Sequence, residues 1–324
     1  MKNPMNLAAG VLALLACAGV NAQAYPVKPV RFMVAFSPGG GIDVMTRVIG
    51  AKMADDLGQP VIAENRPASA GIVATEAVAR AAPDGYTLLT GGSWMVVGSL
   101  LYKDLSYEPL RDFTPIALVA DSAMQLMINA SLPITTVKEL VDYSKANPGK
   151  LNYASSGVGH PFHLAVELLK VRTGANLTHV PYKGSAQAVP DLLEGRVQIL
   201  FSITNSGLLS QIKAGKLRAL ATTGDKRMPE LPEVPTLDEV GIKNLRPAVN
   251  VGIVGPAGMP RPVVDRLNAA LAKATSAPDV LQAYQKQNWI RMHSSPEEYG
   301  RIMKYEVDTW GPLIRSLKLQ LEVQ

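Results

Sequence analysis

Cysteine is nearly absent from this sequence. Among 324 residues the only cysteine is Cys17, which lies in a short apolar segment at the start of the chain. Lys2, the apolar residues 7–20 and the triplet Ala22-Gln23-Ala24 together are typical of an export signal that is cleaved after Ala24. The mature chain would then begin at Tyr25 without a thiol, which excludes disulfide bonds, a cysteine nucleophile and cysteine metal ligands.

A lipid anchor is the alternative for the same segment. Leu14-Leu15-Ala16-Cys17 loosely resembles the box that precedes a lipidated cysteine, which would attach the protein to a membrane at Cys17. Leu15 is atypical in such a box, and Ala22-Gln23-Ala24 offers a good cleavage site. The sequence therefore favours a soluble exported protein, since no other apolar run approaches the length of a membrane span.

Charged residues are also few. They make up 18% of the sequence, the net charge is +5, and no basic run is longer than Lys226-Arg227. Proteins that bind nucleic acids usually concentrate positive charge in a stripe or a tail, so this even distribution argues against a nucleic-acid partner. With 47% hydrophobic residues, the chain has enough apolar material for a large core, and its length is typical of two lobes.

Motifs for catalysis and for nucleotide binding are missing. There is no Gly-x-Ser-x-Gly elbow, a dinucleotide fingerprint would need glycine in place of Val44, and Gly215-Lys216-Leu217 departs from a phosphate-binding loop. His160 and His163 have a spacing that suits a metal, but no acidic or thiol partner has ligand spacing nearby. The sequence therefore predicts neither an enzyme nor a resident cofactor or metal.

The sequence does contain a repeated alternation of short apolar runs with amphipathic segments. Before about Ser122 the order is strand, helix, strand, helix, strand, and after about Asn129 the alternation restarts. This order predicts an α/β fold with mostly parallel, doubly wound sheets. Residues 249–324 offer too little strand for a third lobe. We therefore predict one lobe from residues 25–122 and 249–324 and a second from residues 123–248, joined by two crossings around a cleft.

A glycine-rich turn follows the first predicted strand. Phe36-Ser37-Pro38-Gly39-Gly40-Gly41 leads into a helix with Asp43 in its first turn. Glycines let backbone N–H groups approach a ligand closely, and the start of a helix offers unpaired N–H donors with a partial positive charge. The pattern predicts a site for a carboxylate or phosphate, although an ordinary tight turn in which Asp43 satisfies the helix start explains it as well.

A second turn of the same design lies in the other half. Ser155-Ser156-Gly157 follows a predicted strand, and His160 and Phe162 stand at the start of the next helix. Both turns are at the carboxyl ends of strands, where open α/β sheets bind ligands. Together they predict an anion site in the cleft.

Residues that follow other strands are further candidates for the walls of this cleft. After the strand predicted at 87–90 come Ser93 and Trp94, of which Trp94 fits the core equally well. The remaining candidates are Tyr182 and Gly184, before a later helix, and Ser202.

Ordered segments spread over the mature chain carry a family resemblance. They include Tyr25-Pro26, Glu64-Asn65-Arg66-Pro67, Ala82-Pro83-Asp84-Gly85-Tyr86, Tyr153-Ala154-Ser155-Ser156-Gly157 and His179-Val180-Pro181-Tyr182-Lys183-Gly184. These segments, with residues 36–43, resemble the substrate-binding (Bug-type) receptors of tripartite tricarboxylate transporters.

The resemblance implies both a fold and a function. The fold would be that of a type II periplasmic binding protein, whose two lobes close on a ligand. The protein would be a periplasmic receptor without enzymatic activity that works as a monomer and passes its ligand to a two-subunit membrane permease. A ligand carboxylate would be held by backbone amides, hydroxyls and ordered waters at residues 37–41 and 155–157.

Departures from the family pattern bear on the ligand. Ser202 follows Phe201 where many members have Asp, so it offers no charge for an amino group, which argues against amino acids. Phe36, Trp94 and Phe162 predict an aromatic wall. We therefore expect a dicarboxylate or an aromatic carboxylate.

Two other functions stay open at this level. A receptor that signals to a membrane sensor would have the same sequence features as one that feeds a permease. An exported hydrolase or isomerase using His160 or His163 is the alternative from another class of protein.

Overall fold

The computed structural model describes residues 25–67, 71–182, 185–224, 226–243, 249–316 and 318–319. Within these ranges, no helix combines the length and the apolar character needed to cross a membrane. The export signal predicted for residues 1–24, the alternative anchor at Cys17 and the candidate Gly184 lie outside them.

The first sheet is built from the beginning and the end of the chain. Its strands are β1 (Val30–Val34), β2 (Val61–Asn65), β3 (Thr87–Gly92), β4 (Phe113–Asp121), β10 (Val251–Pro256) and β11 (Ile290–Arg291). They lie in the order β11-β4-β10-β3-β1-β2. β1 is parallel to β2 and β3, whereas β10 is antiparallel to β3 and β4. All of β1 except Arg31 is buried, as expected for a central strand covered on both faces.

The second sheet comes from the middle of the chain. Its strands are β5 (Gln125–Asn129), β6 (Asn152–Ser155), β7 (Thr178–Pro181), β8 (Ile199–Ser202) and β9 (Leu217–Thr222). They lie in the order β7-β6-β8-β5-β9. β6 is parallel to β7 and β8, and β5 is antiparallel to β8 and β9. The two mixed sheets, each with helices packed on it, form two α/β lobes.

Helices cover both sheets. The helices of the first lobe are α1 (Gly41–Leu57), α2 (Ile72–Ala79), α3 (Ser93–Leu101), α8 (Arg261–Thr275), α9 (Pro278–Lys286) and α10 (Pro296–Ser316). The helices of the second lobe are α4 (Val137–Ala146), α5 (Pro161–Thr173), α6 (Ser185–Leu193) and α7 (Ser206–Lys213). α8 packs on α1 and β4, and α10 packs on α3 and β4, so the C-terminal helices close the core of the first lobe.

Local sequence signals fix several helix ends. Thr136 caps α4 by accepting a hydrogen bond from Glu139 N–H, and the Glu139 carboxylate accepts from Thr135 N–H just before the cap, an arrangement close to a capping box. α5 begins with Pro161 and ends at Gly174, whose φ of 71° is the left-handed conformation that favours glycine after a helix. Both helices have the bounds that the sequence predicts, 137–146 and 161–173.

The prediction of mostly parallel sheets is wrong, because only β1–β2, β1–β3, β6–β7 and β6–β8 pair in parallel in the described sheets and the other pairs are antiparallel. The chain enters β5 and β10 directly from the crossings between the lobes, without the crossover helix that parallel neighbours need. Single elements differ as well. The strand predicted at 87–90 continues to Gly92, and Ser93 and Trp94, considered as cleft wall, begin helix α3. The short strand β11, which no pattern in the sequence indicated, lies between α9 and α10 and pairs with the end of β4.

The two chain segments that connect the lobes are in contact with each other. Residues 122–124 lead from β4 directly into β5, and Val249 stands before β10 on the return. Val249 N–H donates to the carbonyl of Ser122 over 3.1 Å. A backbone hydrogen bond therefore joins the two crossing segments.

Candidate functional site

A cavity of about 440 Å³ lies between the two lobes. The carboxyl ends of β1, β6 and β8 meet here, as expected for open α/β sheets. From the first lobe the lining comprises Phe36, Ser37, Pro38, Gly39, Gly40, Gly41, Ile42, Val249, Gln287 and Trp289. From the second lobe it comprises Ser156, His160, Phe162, Gln187, Ser202, Ile203 and Asn205.

The first glycine-rich turn presents the start of α1 to this cavity. Residues 37–40 are exposed, and no side chain caps the helix. Gly39 has a φ of 80°, a conformation that other residues adopt only with strain. The turn therefore brings the first N–H groups of a 17-residue helix to the cavity surface, where they favour an anion.

Asp43 holds the turn in place and does not line the cavity. Gly39 N–H donates to its Oδ2 over 2.8 Å, Asn65 Nδ2 donates to its Oδ1 over 2.7 Å, and Arg47 forms an ion pair with it. Burial acts to raise the pKa of Asp43, but hydrogen bonds from Arg47, Gly39 and Asn65 outweigh it and lower that pKa. The carboxylate is thus charged and fully engaged, which is the structural role that the sequence left open for Asp43.

Ser155 fixes the second turn from behind. Its side chain is fully buried, and its hydroxyl donates to the carbonyl of Gly157 over 3.0 Å and accepts from Gly157 N–H over 3.2 Å. His179 Nε2 lies 2.7 Å from the same oxygen. Ser156, the next residue, lines the cavity, so Ser155 and Gly157 shape the turn while Ser156 faces the ligand space.

Histidines support the start of α5. His160 Nδ1 accepts from Phe162 N–H, and His163 Nδ1 accepts from Gly159 N–H. Burial, and then the neighbouring His163, lowers the pKa of His160 well below its usual range. Burial likewise lowers the pKa of His163 to about 4. Both rings are therefore neutral near pH 7 and add no charge to the site.

Two of the three aromatic residues considered for a wall lie at the cavity surface. Phe36 and Phe162 both line the cavity, and the His160 ring lies between them, 6.2 Å and 4.4 Å from the respective ring centroids. Trp94 packs edge-on against Phe36 at 5.0 Å and is only 3% exposed. Trp94 is thus a core residue behind the wall rather than part of its surface.

Some of the residues predicted for the site line the cavity, and others lie outside it. The cavity lining brings together Phe36, Ser37, Pro38, Gly39, Gly40, Gly41, Ser156, His160, Phe162 and Ser202. Asp43, Ser93, Trp94, Ser155, Gly157 and Tyr182 lie outside it. Ser93 accepts from Asn250 N–H near the crossing, and the Tyr182 hydroxyl donates to Asp191.

Several lining residues were missed by the sequence analysis. Ile203 and Asn205 follow β8, so their place at the end of a strand was a usable signal. Gln287 and Trp289 lie between α9 and β11, at the far end of the sequence from the first turn. Their position depends on how the C-terminal segment packs, and no local pattern indicated it.

The described lining contains no aspartate, glutamate, lysine or arginine. The described chain also contains no group of three or more His, Asp or Glu side chains placed to hold a metal. An anion bound here would be held by backbone N–H groups, hydroxyls and side-chain amides, which donate hydrogen bonds without carrying a charge.

A second cavity, of about 510 Å³, lies at the outer edge of the second lobe, beside β9 and α4. Its one arginine, Arg218, donates to the carbonyls of Leu132 and Ile134. This cavity is distant from both glycine-rich turns, and its cationic side chain is already engaged, so the cavity between the lobes is the candidate site.

The model of a family described as tripartite tricarboxylate transporter family receptor matches residues 45–319. The chain belongs to this family. A protein of Pseudomonas sp. strain P51, described as UPF0065 protein in the tcbD-tcbE intergenic region, is 37% identical over 315 residues, which cover 96% of this chain and 94% of that protein.

Solved structures agree with the family. The periplasmic binding protein BugD has a TM-score of 0.82 and 34% identity, covering 92% of this chain and 100% of that chain. MatC from Rhodopseudomonas palustris with bound malate has a TM-score of 0.81 and 30% identity, covering 90% of this chain and 100% of that chain. The protein is therefore a periplasmic solute-binding receptor of the Bug type and not an enzyme, which confirms the resemblance seen in the sequence.

Proposed function

We propose that this receptor captures a small organic carboxylate in the cavity between its lobes, with dicarboxylates and aromatic carboxylates favoured, and delivers it to a two-subunit permease of the tripartite tricarboxylate type. One observation carries the proposal. The starts of α1 and α5 both face a single cavity whose described lining has no charged side chain. The dipoles of both helices favour an anion there, the uncapped N–H groups of α1 can donate to it, and nothing in the described lining repels one.

The size and the walls of the cavity support the ligand class. A volume of about 440 Å³ is within the range of small-molecule sites. Phe36 and Phe162 offer an apolar surface to the body of the ligand, and MatC, a relative of similar structure, holds malate. Ordered waters would extend the reach of the turns at little cost in affinity, so ligands of different length fit the same donors.

Further parts of the proposal concern organisation and location. We propose that residues 25–122 and 249–324 form one lobe and residues 123–248 the other, because the strands of each sheet come from one of these two parts of the chain. We propose that the periplasmic protein is exported by a signal cleaved after Ala24 and that it works as a monomer.

A thermal-shift screen of the purified protein tests the ligand class. The probes are mono-, di- and tricarboxylates, aliphatic and aromatic, with amino acids as controls. A ligand at a hundred times its Kd adds about 2.7 kcal/mol to stability, which raises Tm by roughly 5 °C for a protein of this size. The absence of a shift with any carboxylate contradicts the proposal.

A charge variant localises the site. Ser156→Asp places a carboxylate in the cavity wall, so repulsion and lost donors should abolish the shift seen with wild type. Ser210→Asp is the matched control, because Ser210 is exposed on α7 away from the cavity. Equal binding by Ser156→Asp and wild type would place the ligand elsewhere.

A further inference from the structure

The segment that links α9 to β11 forms part of the cavity wall and is firmly anchored. Gln287 N–H and Trp289 N–H both donate to the carbonyl of Tyr284, over 3.0 Å and 2.9 Å. The Tyr284 hydroxyl in turn donates to the carbonyl of Val119. Asn288 has a φ of 53°, and its carbonyl accepts from the Ser122 hydroxyl at the crossing between the lobes. The segment therefore presents Trp289 to the cavity from a rigid support.

The indole of Trp289 lies beside the start of α1. A methyl group placed on Gly41 would be 3.5 Å from Trp289 Nε1 and 3.6 Å from Gln287 Oε1. Trp289 is 6% exposed, and its Nε1–H makes no hydrogen bond within the described residues. By contrast with Trp94 Nε1, which is completely enclosed, Trp289 Nε1 is not among the fully buried unpaired atoms. Its side chain lines the cavity, so its N–H is available to a ligand.

An indole N–H can only donate a hydrogen bond. It suits a carboxylate oxygen and offers nothing to an ammonium group. Among the described residues near the turn, the closest acid is Asp43, whose oxygens are taken by Gly39, Arg47 and Asn65. A ligand ammonium bound beside the turn would therefore lose its hydration without gaining a charged partner. The Gln287 amide can pair with a hydroxyl, because it both donates and accepts.

We propose that Trp289 is a ligand-binding residue whose indole N–H donates to the carboxylate held at the Gly39–Gly41 turn, and that it selects carboxylates whose neighbouring carbon carries hydrogen or a hydroxyl rather than an ammonium group. This inference rests on the proposed function, since it assigns the contact and the substrate class of the same cavity. It adds a donor from the C-terminal segment to the two turns.

The selectivity is tested with succinate, malate and aspartate, which differ mainly in the substituent on one carbon. Titration calorimetry on the purified protein should give tighter binding of succinate or malate than of aspartate, by about tenfold or more. Matched pairs of aromatic acids, phenyllactate and phenylalanine, extend the test to aromatic ligands. Aspartate or phenylalanine binding as tightly as its partner overturns the selectivity.

The contact is tested with Trp289→Phe, which keeps an aromatic ring and removes the N–H. Loss of a hydrogen bond to a charged group should weaken binding of the best carboxylate by about 10- to 100-fold. The matched control is Trp310→Phe, because Trp310 packs against α3 and α5 away from the cavity and should bind as wild type does. Unchanged affinity in Trp289→Phe, with wild-type binding intact, overturns the contact while leaving the proposed function in place.

A direct measurement covers the case in which Trp289→Phe does not fold. The sequence has three tryptophans, so a ¹H–¹⁵N spectrum shows three indole N–H signals, and Trp310→Phe and Trp94→Phe each remove one, which identifies the third as that of Trp289. Addition of the carboxylate should move the Trp289 indole proton downfield by more than the other two. If the carboxylate binds and the Trp289 indole signal does not move, the proposal is wrong. If no carboxylate binds at all, the proposed function itself is wrong.

Discussion

The Ser155 hydroxyl oxygen lies 2.7 Å from Nε2 of His179. The same hydroxyl donates to the carbonyl of Gly157 and accepts from its N–H, so the hydrogen bonding is complete when Nε2 of His179 carries the proton. Gly157 has a φ of 121° and lies between Ser156 and the start of α5. One buried hydroxyl therefore links β7 to the turn that forms the second wall of the cavity.

Ser155→Ala should weaken ligand binding although Ser155 does not line the cavity. The substitution leaves His179 Nε2 and both polar groups of Gly157 without their partner. The expected loss of stability is about 1–3 kcal/mol, and calorimetry should show an affinity lower by about tenfold because Ser156 and the helix start are displaced.

Ser144→Ala is the control for Ser155→Ala. Ser144 is also fully buried in the second lobe, where its hydroxyl donates to the carbonyl of Val141 and accepts from Asn176 N–H. Its loss should lower stability by a similar amount and leave the Kd unchanged. An unchanged Kd in Ser155→Ala as well would show that the Ser155 network is purely structural.

Protonation of His163 at low pH should destabilise the second turn, at residues 155–159. Burial lowers the pKa of His163 to about 4 and that of His179 to about 4, so the unfolded chain binds protons that the folded chain does not. Their contribution to stability is present above pH 6.5 and is lost as pH falls through about 4. Protonation of His163 Nδ1 also removes the acceptor of Gly159 N–H.

His163→Gln isolates this effect, because glutamine keeps an acceptor and does not titrate. Urea unfolding at pH 7.0 and pH 4.5 should show a smaller acid loss in the variant than in wild type. His293→Gln, which changes a histidine far from the turn, should leave most of the acid loss in place. Equal acid loss in wild type and His163→Gln would contradict the role of His163.

The elements that sequence reasoning located well are those whose signals are local. Thr136 and Glu139 mark the start of α4, and Pro161 and Gly174 mark both ends of α5. These signals depend on backbone hydrogen bonds within a few residues, so they are visible without knowledge of the fold. The two glycine-rich turns were found for the same reason.

Helix α3 had no such signal. Nearly all of Ser93–Leu101 is buried, and no side chain caps its first turn. A helix that is buried on all sides has no polar face, so its hydrophobic pattern lacks the period by which amphipathic helices are recognised. Its packing between the sheet and α10 is a tertiary property.

No pattern in the sequence indicated that Trp289 lines the cavity either. More than two hundred residues separate it from Gly41 in the sequence, and its position depends on the pairing of Ile290 with Asp121 and on the contact between Asn288 and Ser122. The turns could be predicted from their own residues, whereas this wall needed the complete fold of the first lobe.

Asp43→Ala should disturb the first turn from outside the cavity. The variant removes the acceptor of Gly39 N–H and leaves Arg47 and Asn65 without their shared partner. We expect a loss of about 1–3 kcal/mol in unfolding free energy together with weaker carboxylate binding, measured by denaturation and calorimetry. Asp142→Ala, which breaks an exposed ion pair with Lys138, should change neither quantity measurably. Wild-type affinity in Asp43→Ala would show that the turn keeps its shape without this carboxylate.

A buried carboxyl group beside the crossing between the lobes should make the folded protein less stable as pH rises. This is opposite to the effect of His163 and His179. Glu306 on α10 is 8% exposed and accepts from Asn250 Nδ2 over 2.6 Å. Burial raises its pKa to about 7, with Asp121 acting in the same direction and hydrogen bonds from Ser93 and Asn250 acting against it. The folded chain therefore holds a proton that the unfolded chain has released, and the resulting stability is full below about pH 4.5 and lost as pH rises through about 7.

Glu306→Gln should remove this dependence. Glutamine resembles the neutral carboxyl group and keeps an acceptor for Asn250, so the variant should be more stable than wild type at pH 8 and close to it at pH 5. Urea unfolding at the two pH values measures the difference, with Glu298→Gln as an exposed control on the same helix. If Glu306→Gln is instead less stable than wild type at pH 8, the carboxylate is charged and stabilising there, because only a favourable ionised interaction with its surroundings would be lost in the variant.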